Sequence, residues 1–229
     1  MSTPSERSLP ASSAEAGIRG AAVPAGTRFA PVFLHVNRYV NRPLASLLVR
    51  ALVRTAVTPN QVTFAAFFIG LGGAFAFSRG TPAALILGAV LTQISSVVDC
   101  ADGMLARAKG QTSEFGAYLD LALDRINEFF VMAGAVLGFF VYSGSVRMLV
   151  LGFMTIGLYF LEVGVFYLTE TYLGRGIKSQ TAEGRGLLLF LIFAFGVLNR
   201  IDLGIYVLFI VAAGILFRHL YEFLRSPRR

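Results

Sequence analysis

Six apolar stretches separated by short polar turns set the pattern of this chain, over about 60–79, 82–106, 115–142, 146–171, 186–199 and 201–224. A helix needs roughly 20 residues to cross the hydrocarbon core of a bilayer, and most of these stretches reach that length. The pattern predicts an all-α integral membrane fold with six transmembrane helices. The fifth and sixth stretches are parted only by Asn199 and Arg200, so a coarser reading merges them into one broken helix. Thr58-Pro59-Asn60-Gln61 is a helix start: Thr58 caps, Pro59 suits the first helical position, and Gln61 completes a capping box. Thr81-Pro82 repeats the cap-then-proline pattern, and Gly110 to Ser113 breaks the chain between the second and third stretches. Gly70, Gly72 and Gly73, with Gly134 and Gly138, offer small faces for close helix packing.

Ahead of the first stretch, residues 29–56 mix Phe, Leu and Val with Arg38, Arg42, Arg50 and Arg54 at helical spacing, and Pro43 breaks the run. This reads as an interfacial amphipathic helix, or two half-helices, on an anionic leaflet. Residues 1–28 are rich in Ser, Ala, Pro and Gly and carry no apolar signal-peptide core. The expected organisation is a disordered cytoplasmic tail over 1–28, an amphipathic helix over 29–57, and a six-span domain over 58–229.

Composition agrees with the pattern. The chain is 55% hydrophobic and 14% charged, with mean hydropathy +0.68, which excludes an ordinary soluble domain. A single cysteine, Cys100, excludes an internal disulfide and reads as a packing residue. His35 and His219 read as interfacial. In a six-span arrangement seventeen of the 20 Lys and Arg fall on one side. The other side receives only Arg79, Arg147 and Arg200. The positive-inside rule then puts both termini in the cytoplasm, as in a prokaryotic inner membrane. The bilayer is the expected partner, nucleic acid is not, and a homodimer is compatible with the pattern.

Charge stands out where it is most costly. The segment VVDCADGMLARAKGQTSEFGAYLDLALDRINEFF carries Asp99, Asp102, Asp120 and Asp124 inside the second and third apolar stretches. A carboxylate at membrane depth is expensive unless paired or bound to a cation. Asp102 and Asp120 each lie nine residues from Gln111, so antiparallel helices leaving that turn hold them at one height, roughly 13 Å along the axis. Asp99 and Asp102 are three apart, Asp120 and Asp124 four apart, so each pair shares a helix face. If the faces meet, four acids converge, and hard divalent cations relieve their repulsion. All-oxygen ligands suit Mg²⁺ or Mn²⁺. Two such ions would clamp a phosphate during in-line displacement. Gly103, Ala106 and Gly116 leave a groove beside the acids, and Arg107 can reach a phosphate oxygen. A salt-bridged helix pair, with Arg107 and Arg125 neutralising aspartates, is the plainer alternative, but two arginines do not balance four acids.

Asp99-x-x-Asp102-Gly103-x-x-Ala106-Arg107, then eight residues, then Gly116-x-x-x-Asp120-x-x-x-Asp124, resembles the signature of the CDP-alcohol phosphotransferase family at all eight positions. The resemblance extends to the six-span layout, the preceding amphipathic helix and Thr58-Pro59-Asn60. It implies a membrane enzyme of phospholipid synthesis. Such an enzyme moves a substituted phosphate from a CDP-linked lipid, CDP-diacylglycerol for example, to an alcohol and releases CMP. By this resemblance Asp99, Asp102 and Asp120 hold two Mg²⁺ or Mn²⁺ ions, and Asp124 binds metal and acts as general base. Asp99, Asp102, Gly103, Ala106, Arg107, Gly116 and Asp120 bind the CDP donor.

The acceptor is less legible. The Gly- and Arg-rich segment 174–185, with Arg175, Lys178 and Arg185, falls on the same predicted side as Arg125. These cations could hold an anionic acceptor such as inositol phosphate or glycerol phosphate, or simply follow the positive-inside rule. A transporter using intramembrane carboxylates is the competing class. It would spread its acids over several spans, whereas here they gather beside one turn. Glu162 and Glu170 in the fourth stretch are read as the only other in-span acids.

Overall fold

The computed structural model describes residues 36–172 and 180–225. Among these residues the fold is all-α. A π-helical turn, Asn37–Asn41, runs into α1 (Arg42–Leu52), followed by α2 (Pro59–Ser78), α3 (Pro82–Lys109), α4 (Glu114–Ser143), α5 (Val146–Tyr172), α6 (Gln180–Val197) and α7 (Ile201–Arg225). The predicted tail and the start of the amphipathic segment, His35 included, lie outside the described residues.

Five helices, α2 to α5 and α7, are long and apolar enough to cross a membrane. The fifth predicted stretch forms α6, whose described apolar part is only Leu187–Val197. Side chains such as Phe68 and Phe217, 65% and 72% exposed, point outward from the bundle. In water these would be liabilities. Toward lipid tails they cost nothing.

The predicted helix starts are present. Thr58 Oγ1 accepts from the Gln61 amide at 3.4 Å, and the Gln61 side chain accepts from the Thr58 amide at 2.9 Å. Thr81 caps α3 through the Ala84 amide at 3.3 Å. Between α3 and α4, Gly110 adopts a left-handed conformation (φ 64°) and ends α3 as a C-terminal glycine does. Ser113 then caps α4 by accepting from the Gly116 amide at 3.0 Å. Asn199, at φ 54°, turns the chain between α6 and α7 and keeps them separate.

Two expectations about the amphipathic segment change. Pro43 does not break the helix. The proline lacks an N–H and its ring crowds the preceding turn, and the wider π-turn accommodates it. The segment is also anchored by more than amphipathicity. Asn41, 1% exposed, donates to Asn37 Oδ1 at 2.7 Å and Ser96 Oγ at 2.9 Å, and it accepts from Gln93 Nε2 at 2.8 Å. These bonds tie the π-turn to α3. Ala45 and Val49 of α1 then bury against Val62, Ala101 and Leu105, while Leu47 and Arg50 face outward.

Helix α2 occupies the centre. It packs along both α3 and α4, whereas α3 and α4 scarcely touch each other. Glycine makes this approach possible. A Cβ at Gly134 would run into the Ala74 backbone, and one at Gly138 into that of Phe77. Gly73 and Gly88 face each other across α2 and α3 in the same way, with a Cβ at Gly88 reaching 2.9 Å from the Gly73 carbonyl. The large core, around Phe77, Leu85, Val131, Met132 and Leu189, gathers α2 to α7 on the far side of the α3–α4 turn.

Candidate active site

The acids occupy the ends of α3 and α4 nearest their connecting turn. Carboxylate oxygens of Asp99, Asp120 and Asp124 all lie within 4.8 Å of one another. Asp99 and Asp120 are partly buried and Asp124 is buried. Three hard anionic oxygens at this separation suit a divalent cation, so the donor set fits Mg²⁺ or Mn²⁺.

Asp102 lies outside this trio. It is 6% exposed, and its Oδ2 accepts from the Thr63 hydroxyl at 2.5 Å. It remains close enough to feel the charges of Asp99 and Asp120. The two predicted faces meet through Asp99, Asp120 and Asp124, while the α3 and α4 backbones stay apart. They look across a narrow cleft that α2 helps to line through Thr63, Ala66 and Phe67, together with Asp99, Leu123, Asp124 and Asn127.

The small residues of the motif sit toward the turn. Gly103 lies under the Arg107 guanidinium: a Cβ there would stand 3.4 Å from an Nη atom. Arg107 is otherwise exposed. Gly116 is bordered by Ser113 Oγ and Asn60 Oδ1, 3.0 and 3.4 Å from where its Cβ would be. Ala106 is partly exposed on the same flank. Gly103, Ala106 and Gly116 are thus partly exposed on the turn side of the acids, with the long Arg107 side chain over Gly103 and Gly116 the more closely bordered. Lys109 does something else. Its Nζ donates to the carbonyls of Thr55 and Val57, both at 2.7 Å, and clamps the turn to the α1–α2 linker.

Arg125 follows Asp124 in sequence but is engaged with α5. Its Nη2 lies 2.9 Å from Glu128 Oε1, and its Nη1 donates to Tyr159 Oη at 3.3 Å. Tyr159 donates in turn to Glu128 Oε2 at 3.0 Å. Glu128 is an in-span acid that the sequence reading passed over, and it is 1% exposed. Arg175 and Lys178 lie outside the described residues. Arg185 falls within α6, with its side chain outside the described set.

His219, expected at an interface, is buried inside the bundle. It is 7% exposed, with Nδ1 3.2 Å from Glu162 Oε1, so a buried acid on α5 draws it into the bundle. Sequence reasoning also missed Thr63, Ser95 and Asn127. Thr63 sits five residues after Thr58 on the capped helix, and Asn127 one turn beyond Asp124. That spacing was the only available signal.

Known proteins resemble this chain in sequence and in fold. The family model for CDP-alcohol phosphatidyltransferase matches residues 56–218. An archaetidylinositol phosphate synthase of Pyrococcus horikoshii is 29% identical over 173 residues, 76% of this chain and 87% of that protein. A phosphatidylinositol phosphate synthase of Corynebacterium glutamicum is 36% identical over 101 residues, covering 44% of this chain and 43% of that one. Among solved structures, Mycobacterium tuberculosis phosphatidylinositol phosphate synthase (PgsA1) with CDP-DAG bound superposes with a TM-score of 0.67 at 19% identity. It covers 81% of this chain and 96% of that one. The same enzyme in complex with manganese and citrate gives 0.66 at 21% identity, covering 80% and 90%. With the motif intact at all eight positions and the family model spanning most of its length, the chain belongs to the CDP-alcohol phosphatidyltransferase family.

Proposed function

We propose that this membrane transferase moves a phosphatidyl group from CDP-diacylglycerol to inositol phosphate, releasing CMP. The observation that carries the reading is the convergence of Asp99, Asp120 and Asp124 within 4.8 Å in a motif intact at all eight positions. The acceptor is supported by the relatives from Pyrococcus and Corynebacterium, an archaetidylinositol phosphate synthase and a phosphatidylinositol phosphate synthase, and by the cations of the 174–185 segment. Glycerol phosphate is the nearest alternative with the same anionic chemistry.

The residues divide the work. Asp99, Asp102, Asp120 and Asp124 hold two Mg²⁺ or Mn²⁺ ions, and bound metal supplies charge stabilisation for the transferred phosphoryl group and for leaving CMP. Gly103, Ala106 and Gly116 admit the cytidine diphosphate, and Arg107 holds a phosphate oxygen. Asp124, the deepest of the trio along its helix, takes the proton of the acceptor hydroxyl. The new P–O bond forms to the lipid-bearing phosphorus. The bond to the CMP phosphate breaks, and CMP leaves with the electron pair. Arg175, Lys178 and Arg185 hold the acceptor's phosphate on the cytoplasmic side, and Arg125 braces that wall through Glu128. Six spans, a membrane-lying α1, both termini in the cytoplasm of a prokaryotic cell and a homodimer complete this reading.

The test is CMP release from radiolabelled CDP-diacylglycerol against inositol phosphate, glycerol phosphate, inositol and serine. Inositol phosphate should be the preferred acceptor. Preference for an uncharged alcohol would overturn the acceptor assignment.

A further inference from the structure

One turn deeper than Asp124 on α4 stands Asn127, 5% exposed and lining the same cleft as Asp99 and Asp124. Its amide nitrogen donates to Ser95 Oγ at 3.2 Å. Ser95 is 1% exposed and gives its one proton to the Ala66 carbonyl at 2.8 Å. Toward Asn127, then, Ser95 can only accept, and this fixes which way round the amide sits. Asn127 Oδ1 is left buried, with no hydrogen-bond partner among the described residues.

A buried carbonyl without a donor is costly, and native proteins rarely keep one without a reason. The space is also specific to this side chain. A Cβ at Gly70 would overlap the Asn127 amide, so α2 carries a glycine where the amide lies against it. Asp99 and Asp124 cannot satisfy Oδ1 when ionised, because a carboxylate only accepts. Nor can a phosphate dianion. Besides direct ligation to a cation, which an amide oxygen can also provide, the missing partner is a neutral or metal-bound O–H.

We infer that Asn127 Oδ1 receives a hydrogen bond from an O–H group seated at the acid cluster: a hydroxyl of the acceptor alcohol or a water on the divalent cation. This rests on the function proposed above and adds a residue to its floor. If the O–H belongs to the acceptor, Asn127 favours a polyol whose second hydroxyl neighbours the one that attacks.

The test uses the full chain in lipid nanodiscs and the isosteric Asn127→Leu, which keeps size and removes the amide. Acceptor KM is measured with inositol phosphate and its monodeoxy analogues, CDP-diacylglycerol KM in parallel, and Mn²⁺ affinity by titration calorimetry. If the acceptor supplies the O–H, acceptor KM rises about tenfold, the loss expected for one buried hydrogen bond, with donor KM unchanged. One monodeoxy analogue then costs the unmodified enzyme the same factor and costs Asn127→Leu nothing further. If metal-bound water supplies it, Mn²⁺ affinity falls by a similar factor instead, whereas a fall far beyond tenfold marks direct ligation by Oδ1 and overturns the inference. Should Asn127→Leu fail to fold, Ser95→Ala carries the test, because it frees the amide to turn and should shift the same constant in the same direction. Unchanged acceptor KM and Mn²⁺ affinity in a folded variant overturn the inference alone. Absence of CMP release by the unmodified enzyme with every alcohol overturns the functional reading with it.

Discussion

Two groups of buried acids lie one helical turn apart in this protein and are built on opposite plans. In the cleft between α3 and α4, Asp99, Asp120 and Asp124 bring like charges within 4.8 Å. On the α5 side, Glu128 meets Arg125 at 2.9 Å and Glu162 meets His219 at 3.2 Å. The second group pairs each acid with a base and is braced by Tyr159, so it ties α4, α5 and α7 together. The first gathers acids with no base in the trio, beside the small residues of the motif. An intramembrane carboxylate is therefore not by itself a mark of chemistry. What separates the two is whether the nearest charged neighbours are other acids or bases.

The sharpest way to break this comparison is to neutralise one member of each group. Asp124→Asn keeps shape but removes a base and weakens a ligand, so turnover should fall at least about 100-fold, in line with general-base contributions. Thermal stability should stay near that of the unmodified protein. Near-normal turnover would remove Asp124 from the mechanism. Glu128→Ala should do the reverse: it removes the buried half of the ion pair and leaves the partly buried Arg125 with Tyr159, a loss below the roughly 3–5 kcal/mol of a fully buried pair, read as earlier unfolding in detergent. If Glu128→Ala unfolds no earlier, the pair is not the structural brace described.

A finer probe concerns Asp102, which belongs to the motif yet stands outside the trio. Thr63→Val removes the hydroxyl that orients its carboxylate. Partners that orient a metal site's ligands are typically worth roughly 10–100-fold in affinity, and Mn²⁺ titration should show a drop at the low end of that range. Thr63→Ser should restore it. Equal affinity in Thr63→Val and the unmodified protein would separate Asp102 from metal binding. The smallest effect is expected at the cations. Lys178→Ala or Arg185→Ala should raise acceptor KM several-fold with less effect on donor KM, in keeping with a lost ground-state contact. Arg107→Ala should show the opposite split. Identical acceptor kinetics in the loop variants would move the acceptor's phosphate elsewhere.

Much of the acid site was legible because helix geometry is local. Spacings of three and four put two acids on each face, and Gly110 and Ser113 announced the turn that sets those faces opposite each other. The Thr58 and Thr81 caps were readable for the same reason. What sequence spacing did not carry was the third helix in the arrangement. Nothing in Gly70, Gly73, Gly134 or Gly138 says that α2, rather than α3 against α4, is the central contact. Thr63, Ser95 and Asn127 become part of the cleft only through that packing. His219 and Glu128 were misread or missed because their partners are supplied by helices distant in sequence or by a side chain taken for something else. Lys109 looked like topological charge and serves as a clamp on the carbonyls of Thr55 and Val57.

The central claim is that Asp99, Asp120 and Asp124 form a divalent-metal site for transfer from a CDP-linked lipid. Its most direct test is CMP release from radiolabelled CDP-diacylglycerol by purified protein, with inositol phosphate as acceptor, after stripping with chelator and again after adding Mn²⁺ or Mg²⁺. The account predicts no turnover above background in chelator, recovery on adding either ion, and no recovery in Asp120→Asn. Full turnover in excess chelator, by protein shown to carry no metal, would contradict it.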